Sequence, residues 1–343
     1  LPPSLSNHIV PNSVITSDIS SVSVGYSHQM VLCRKTNELF VCGSSSNGRL
    51  GLDHDLDHFV KLNHRAMFNP DNLPITMAKC GGIHSMIVLD DRFLYMAGWG
   101  GYGQHGQGHT EDVKQFSLAN PPEWDQCENG DKWIKLVAGG SAHTIVVTRD
   151  NTVYGCGCNE EQMLGLTGVG QSVTRLTKLN FRSVLLGGSS GGNSGGSCSG
   201  SCGGTERTIV QVECGYRFTV FLLNTNQVYF IGHNSNGEAG SANVVMGTLT
   251  QLSFPELTVA KSVSVSCGLY SLCLCLDQNA AYMAGKVAES NSTGANFNAP
   301  FRRVALPKKL AGTSIQATCS FSGLGLFEVM IMTKQMSWFF ATL

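Results

Sequence analysis

An all-β chain of short repeated strands, arranged as propeller blades, is what three observations predict. A tight corner and a later strand end recur together six times, with Gly-x-x-His at three of the corners and glycine at five of the strand ends. Asn- and Asp-rich hairpin turns lie between the strands. The composition is rich in glycine and poor in charge, with 40 Gly among 343 residues and only 14% charged, against about 25% in ordinary globular domains.

The repeating unit is clearest between Val22 and Gly51. A short apolar strand leads to the corner at Gly25, and a second strand follows His28. A polar turn over Lys35, Thr36 and Asn37 comes next, then a third strand ending at Gly43 and a loop ending at Gly51. Corners align at Gly25, Gly81, Gly140, Gly215, Gly268 and Ser320; third strands end at Gly43, Gly98, Gly157, Gly232, Gly285 and Ser337. The two marks are 18 residues apart in the first unit and 17 in the other five. In the first four units a further glycine follows eight residues on, at Gly51, Gly106, Gly165 and Gly240. Corner-to-corner steps of 56, 59, 75, 53 and 52 residues contain one outlier. It holds the Gly/Ser/Cys stretch 187–204, expected to be a flexible insert within the third repeat. The turns Asp90-Asp91, Asp150-Asn151, Asn224-Thr225-Asn226 and Asp277-Gln278-Asn279 match the one at Asn37; such residues favour turns through local side-chain hydrogen bonds. A period near 55 with short strands fits a propeller blade rather than a solenoid coil.

Charge and chemistry narrow the function. The net charge of −1 gives no whole-chain attraction to nucleic acid or to an acidic membrane. No apolar run reaches the ~18 residues of a membrane-spanning helix. The 13 cysteines are an odd number and sit mostly in strand patterns, which predicts reduced, packed thiols and a cytoplasmic or nuclear setting. His28, His84 and His143 occupy one place in three units; a repeat-periodic residue is first a packing residue, and separate blades do not bring ligands together at metal distance. Gly101-Tyr102-Gly103-Gln104-His105-Gly106 has Gly-x-Gly-x-x-Gly spacing but no helical pattern after it, as a dinucleotide site would need. No catalytic residues, metal site or cofactor are expected.

The units resemble repeats of the regulator of chromosome condensation family. The resemblance is carried by Cys80-Gly81-Gly82-Ile83-His84-Ser85, by Gly140-Ser141-Ala142-His143-Thr144 and by Asn47-Gly48-Arg49-Leu50-Gly51, and covers residues 19 to 340. It implies a propeller of four-stranded blades in a single domain over residues 1–343: six from the visible repeats, or seven, the usual family number, in a chain that has been trimmed. Residues 1 to 18, with Ile9-Val10, are expected to supply the outer strand missing from the last unit.

The resemblance also implies that corner residues meet partners on one face. The partner-binding candidates are then Tyr26, His28, Ile83, His84, His143, Tyr216, Arg217, Leu269, Tyr270 and Phe321. The expected function is a non-enzymatic module that docks a protein on this face. The alternative is guanine-nucleotide exchange on a Ran-like small GTPase, which needs no covalent chemistry in this chain. The family's exchange factor has acidic residues at some corners, and its plant photoreceptor has Trp there; none of the six corner pairs here carries either. A third reading makes the propeller part of a longer protein, such as a HECT-type ubiquitin ligase.

Overall fold

The computed structural model describes residues 15, 18–124, 133–168, 170–186, 206–286 and 300–304. It also describes the backbone of the strands at 9–10, 315–319, 329–333 and 338–341. The insert 187–204 and the corner residue Phe321 lie outside the described residues.

The strands form antiparallel sheets, each from one stretch of chain. Blade 1 has β1 (Ile9–Val10), β2 (Ser21–Val24), β3 (His28–Cys33), β4 (Glu38–Gly43) and β5 (Leu56–Leu62), in the order β1-β5-β4-β3-β2. Blade 2 has β6 (Ile75–Cys80), β7 (His84–Leu89), β8 (Phe93–Gly98) and β9 (Val113–Leu118). Blade 3 has β10 (Ile134–Gly139), β11 (His143–Thr148), β12 (Val153–Cys158) and β13 (Ser172–Leu179). Blade 4 has β14 (Ile209–Cys214), β15 (Phe218–Leu223), β16 (Val228–His233) and β17 (Val245–Gln251). Blade 5 has β18 (Val263–Cys267), β19 (Ser271–Leu276), β20 (Ala280–Gly285) and the short β21 (Arg302–Arg303). The last repeat gives β22 (Ile315–Cys319), β23 (Val329–Thr333) and β24 (Trp338–Ala341) in a three-stranded sheet.

The molecule is thus an all-β propeller of four-stranded blades, with two corrections to the expectation. Five blades reach four strands, not six or seven. The corner-to-strand-end spacing specifies only three strands. The fourth comes from the chain beyond them: in blades 1 to 4 a loop closed by a glycine eight residues on leads to it, and blade 5 forms the short β21 without that glycine. The N-terminal stretch does not complete the last sheet either. Ile9 pairs with Leu62 and Val10 with Lys61, which places β1 on the outer edge of blade 1; an unpaired edge takes the nearest strand able to satisfy its backbone groups.

The first strands β2, β6, β10, β14 and β18 lie side by side, each against the next, and line the axis. The core therefore sits in the seams between blades. Ile75, Ala78 and Cys80 of blade 2 pack with Met30, Leu32, Leu39 and Val41 of blade 1, and Ile209, Val212 and Cys214 of blade 4 pack with Ile145, Val147 and Val153 of blade 3. The hairpin turns between second and third strands take the left-handed backbone their residues favour, as at Asn37 (φ 55°), Asp90 (52°), Asp91 (55°), Asn151 (59°) and Asn226 (64°). They also brace the next blade: Ile75 N–H donates to Asn37 Oδ1 at 2.7 Å, and Ile209 N–H to Asn151 Oδ1 at 3.1 Å.

The strand-ending glycines explain the constant spacing. Gly98 has φ +128°, and a Cβ there would lie 2.6 Å from the Ile83 carbonyl oxygen. Replacing Gly98 with Ala should lower stability by about 3 kcal/mol, since forbidden backbone and a steric clash combine. Gly168→Ala should cost only about 1 kcal/mol, the left-handed penalty alone, because nothing lies within 4 Å of a Cβ there. Urea midpoints of the two variants test the difference.

Candidate functional site

All five described corners open on the same face, and their chemistry begins with a close contact. A Cβ on Gly25, Gly81 or Gly140 would lie 2.1–2.2 Å from Cε1 of His28, His84 or His143 in the same corner. Only glycine lets the ring fold back over the corner. The ring then points into the seam. His28 Nε2 lies 2.9 Å from the Ser85 hydroxyl, His84 Nε2 is 2.8 Å from Thr144, and His143 Nε2 is 3.1 Å from Thr219. Each hydroxyl belongs to the next blade and donates onward to a loop carbonyl: Ser85 to Arg49 at 2.6 Å, Thr144 to Gln104 at 2.8 Å and Thr219 to Met163 at 3.4 Å. With the hydroxyl proton committed there, Nε2–H must be the donor, and Nδ1 is left bare. Backbone bonds run the same way: Tyr26 N–H donates to the Gly82 carbonyl, Gly82 to Gly140, Ser141 to Tyr216, and Tyr216 to Leu269.

At the fourth corner the pair changes together. Phe218 replaces the histidine and Leu272 the hydroxyl, and both are buried in one apolar cluster. A phenyl ring needs no acceptor, and an unpaired hydroxyl there would have been costly.

Burial pushes His28 and His84 down to about 3 and His143 down to about 4. For His28 the Arg49 charge adds to burial, and for His84 the neighbouring histidines do. These three residues are buried, so the structure assigns them to the seams and gives a partner no surface to touch there.

The other candidates separate into two groups. Tyr26, Tyr216, Arg217 and Tyr270 are brought together. The Tyr26 ring covers Gly82, and the Tyr216 and Tyr270 rings are 5.1 Å apart. Burial raises the Tyr26 hydroxyl, a hydrogen bond with Ser141 opposes the shift, and Tyr216, Tyr270 and Arg217 all act on it electrostatically. The Arg217 guanidinium lies 5.3 Å from the Tyr216 ring centre and pairs with Glu160 at 2.9 Å and Glu161 at 3.7 Å. Ile83 and Leu269 are half-buried and contribute mainly backbone, accepting from Trp99 and Tyr216.

Tyr102, Glu160 and Glu161 are missed by corner alignment because they come from the glycine-rich loops. Tyr102 donates to Glu160 at 2.8 Å. The hydroxyl column at Ser85, Thr144 and Thr219 was visible beside the corner motif; its role needed the neighbouring blade. Gly101–Gly106 forms the loop between β8 and β9, and Gln104 there serves Thr144.

The seam histidines set a pH dependence. Their folded pKa values lie below the unfolded value of about 6.5, so below that pH the unfolded chain binds more protons and stability falls as pH falls. Three such groups should cost about 4 kcal/mol between pH 7.5 and 5.5, read from urea midpoints. Combining His143→Phe with Thr219→Leu copies the Phe218–Leu272 pair. It should remove about a third of that slope while shifting neutral-pH stability by less than about 1.5 kcal/mol.

Comparison with known proteins places this geometry. The regulator of chromosome condensation (RCC1) repeat matches residues 134–162 and 209–238, which lie in blades 3 and 4. The chain is 26% identical over 250 residues to the ultraviolet-B receptor UVR8 of Arabidopsis thaliana, covering 73% of this chain and 48% of that protein. It is 33% identical over 176 residues to the secretion-regulating guanine nucleotide exchange factor of Bos taurus, covering 51% and 32%. The chain thus spans about half or less of these curated relatives. Human WBSCR16 has a similar structure, with TM-score 0.67 and 18% identity, covering 92% of this chain and 72% of that one. So does Prp20p from Saccharomyces cerevisiae, described with its binding to Gsp1p and histones, at TM-score 0.65 and 13% identity, with coverage of 92% and 72%. These likenesses show the fold. No helix among the described residues is long and apolar enough to cross a membrane. With corner, seam and repeat in agreement, the chain is an RCC1-like β-propeller.

Proposed function

We propose that the corner face docks a protein partner without covalent chemistry, through Tyr26, Tyr216, Arg217 and Tyr270, flanked by Ile83 and Leu269. The convergence of corners from three blades on one tyrosine–arginine cluster carries this reading. Tyr and Arg dominate the cores of protein interfaces. Here the rings already pack on one another and Arg217 is held by Glu160, so little side-chain freedom is left to lose on binding. His28, His84 and His143 serve the face indirectly by fixing the blades that carry it. Phe321 belongs to the same proposed set by its place in the repeat.

A second reading, guanine-nucleotide exchange on a Ran-like GTPase, draws on one observation. The corners lack acidic residues, but the loop of blade 3 brings Glu160 and Glu161 onto the same face. The exchange-factor relative supports this reading by its name alone.

Release of fluorescent GDP from Ran separates the two. The expected result is no stimulation by the folded chain. Affinity capture should recover a protein whose binding falls at least tenfold when Tyr216 and Arg217 are both changed to Ala. Stimulated release that is lost in that double variant would overturn the docking reading in favour of exchange.

A further inference from the structure

The axis of the propeller carries two charges that neither the seams nor the corner face use. In the first strands of blades 2 and 4, the residues one and three before the corner turn into the seam with the preceding blade. Ala78 and Cys80 pack with blade 1, and Val212 and Cys214 with blade 3. Alternation along a strand turns the residue two before the corner the other way, towards the axis. Those residues make one tier of the five blades: Ser23, Lys79, Ala138, Glu213 and Ser266. Lys79 and Glu213 are both half-buried. Burial raises the Glu213 carboxyl, and the Lys79 charge and a hydrogen bond from Gln211 oppose the shift. Lys79 thus acts on Glu213 although blade 3 stands between their blades.

The uncharged groups beside them are engaged. Ser23 Oγ accepts from Cys80 N–H at 2.9 Å. Gln211 bridges the bare inner edge of β18, accepting from Val265 N–H at 3.1 Å and donating to the Val265 carbonyl at 2.6 Å. Glu213 accepts from Gln211 Nε2 at 3.2 Å. Among the described residues the Lys79 ammonium makes no hydrogen bond, and no ion pair joins it to Glu213.

We infer that the axial channel between Lys79 and Glu213 binds a small zwitterion, with the ligand's carboxylate on Lys79 and its ammonium on Glu213. A charge held away from bulk water is costly unless it is paired. A lone anion that pairs with Lys79 is repelled by Glu213, and a lone cation on Glu213 is repelled by Lys79. A molecule with one carboxylate and one ammonium completes both pairs and adds no net charge. The same arrangement rejects singly charged competitors, because each meets a like charge across the channel.

Calorimetric titration of the full chain tests the proposal. The probes are glycine, β-alanine and γ-aminobutyrate, whose two charges stand progressively farther apart, with acetate and methylammonium as singly charged controls at constant ionic strength. At least one of the zwitterions should bind at a single site, at least tenfold more tightly than either control. Lys79→Met and Glu213→Gln should each weaken that binding at least tenfold. The variant with Tyr216 and Arg217 both changed to Ala should bind it unchanged, which separates this site from the docking face. In crystals of the unsubstituted chain grown with the same zwitterion, the molecule should lie between Lys79 and Glu213, a readout that needs no variant. No binding by any of the zwitterions, or a control that binds as tightly, would overturn the proposal. Unchanged affinity in either single variant, or a bound molecule found elsewhere, would overturn it equally.

Discussion

The contact of a histidine ring with the glycine of its own corner is the constraint on which the propeller depends. It places Nε2 in the seam, where a hydroxyl of the next blade waits, and so joins residues 57, 60 and 76 positions apart in sequence. A Cβ at the corner would push the ring out of that position, and a charged ring would have to give up its hydration in a dry seam. Glycine, neutral histidine and hydroxyl therefore work as one unit. The Phe218–Leu272 pair shows the same rule in apolar form: both members change, because changing one would strand a polar group or leave a poor fit.

Locking the blades in this way fixes the corners that carry Tyr26, Tyr216, Arg217 and Tyr270. Tyr26, Tyr216 and Tyr270 are far apart in the chain, yet the backbone hydrogen bonds from each corner to the next bring their corners round the axis. Arg217 then lies between the Tyr216 ring and the carboxylates of the blade 3 loop. The rings of the corner face pack on one another, and its cation is held by a carboxylate of the neighbouring blade.

The seams also tie stability to protonation. A buried neutral imidazole is inexpensive at neutral pH and becomes a burden in acid, where the unfolded chain gains protons that the folded one refuses. Cysteines near the corners add no such charge: burial raises Cys80 to about 12 and pushes Cys214 up further, so both remain neutral thiols in the core.

Much of the fold was legible in the residues themselves, because its local rules are written in backbone conformation. Gly43 and Gly98 mark left-handed strand ends, and Asn37, Asp90 and Asn151 mark left-handed turns. These preferences act within a few residues and need no partner, so the repeat, the all-β class and the hairpins follow from sequence. The outer edge of the blades did not: whether a fourth strand forms, and where Ile9-Val10 pairs, depends on which edge lies nearby once the sheets exist. The site divides along the same line. That Tyr26, Tyr216 and Tyr270 share a face follows from the repeat, but the burial of His28, His84 and His143 and the arrival of Tyr102, Glu160 and Glu161 were decided by tertiary structure alone, because each is a relation between blades.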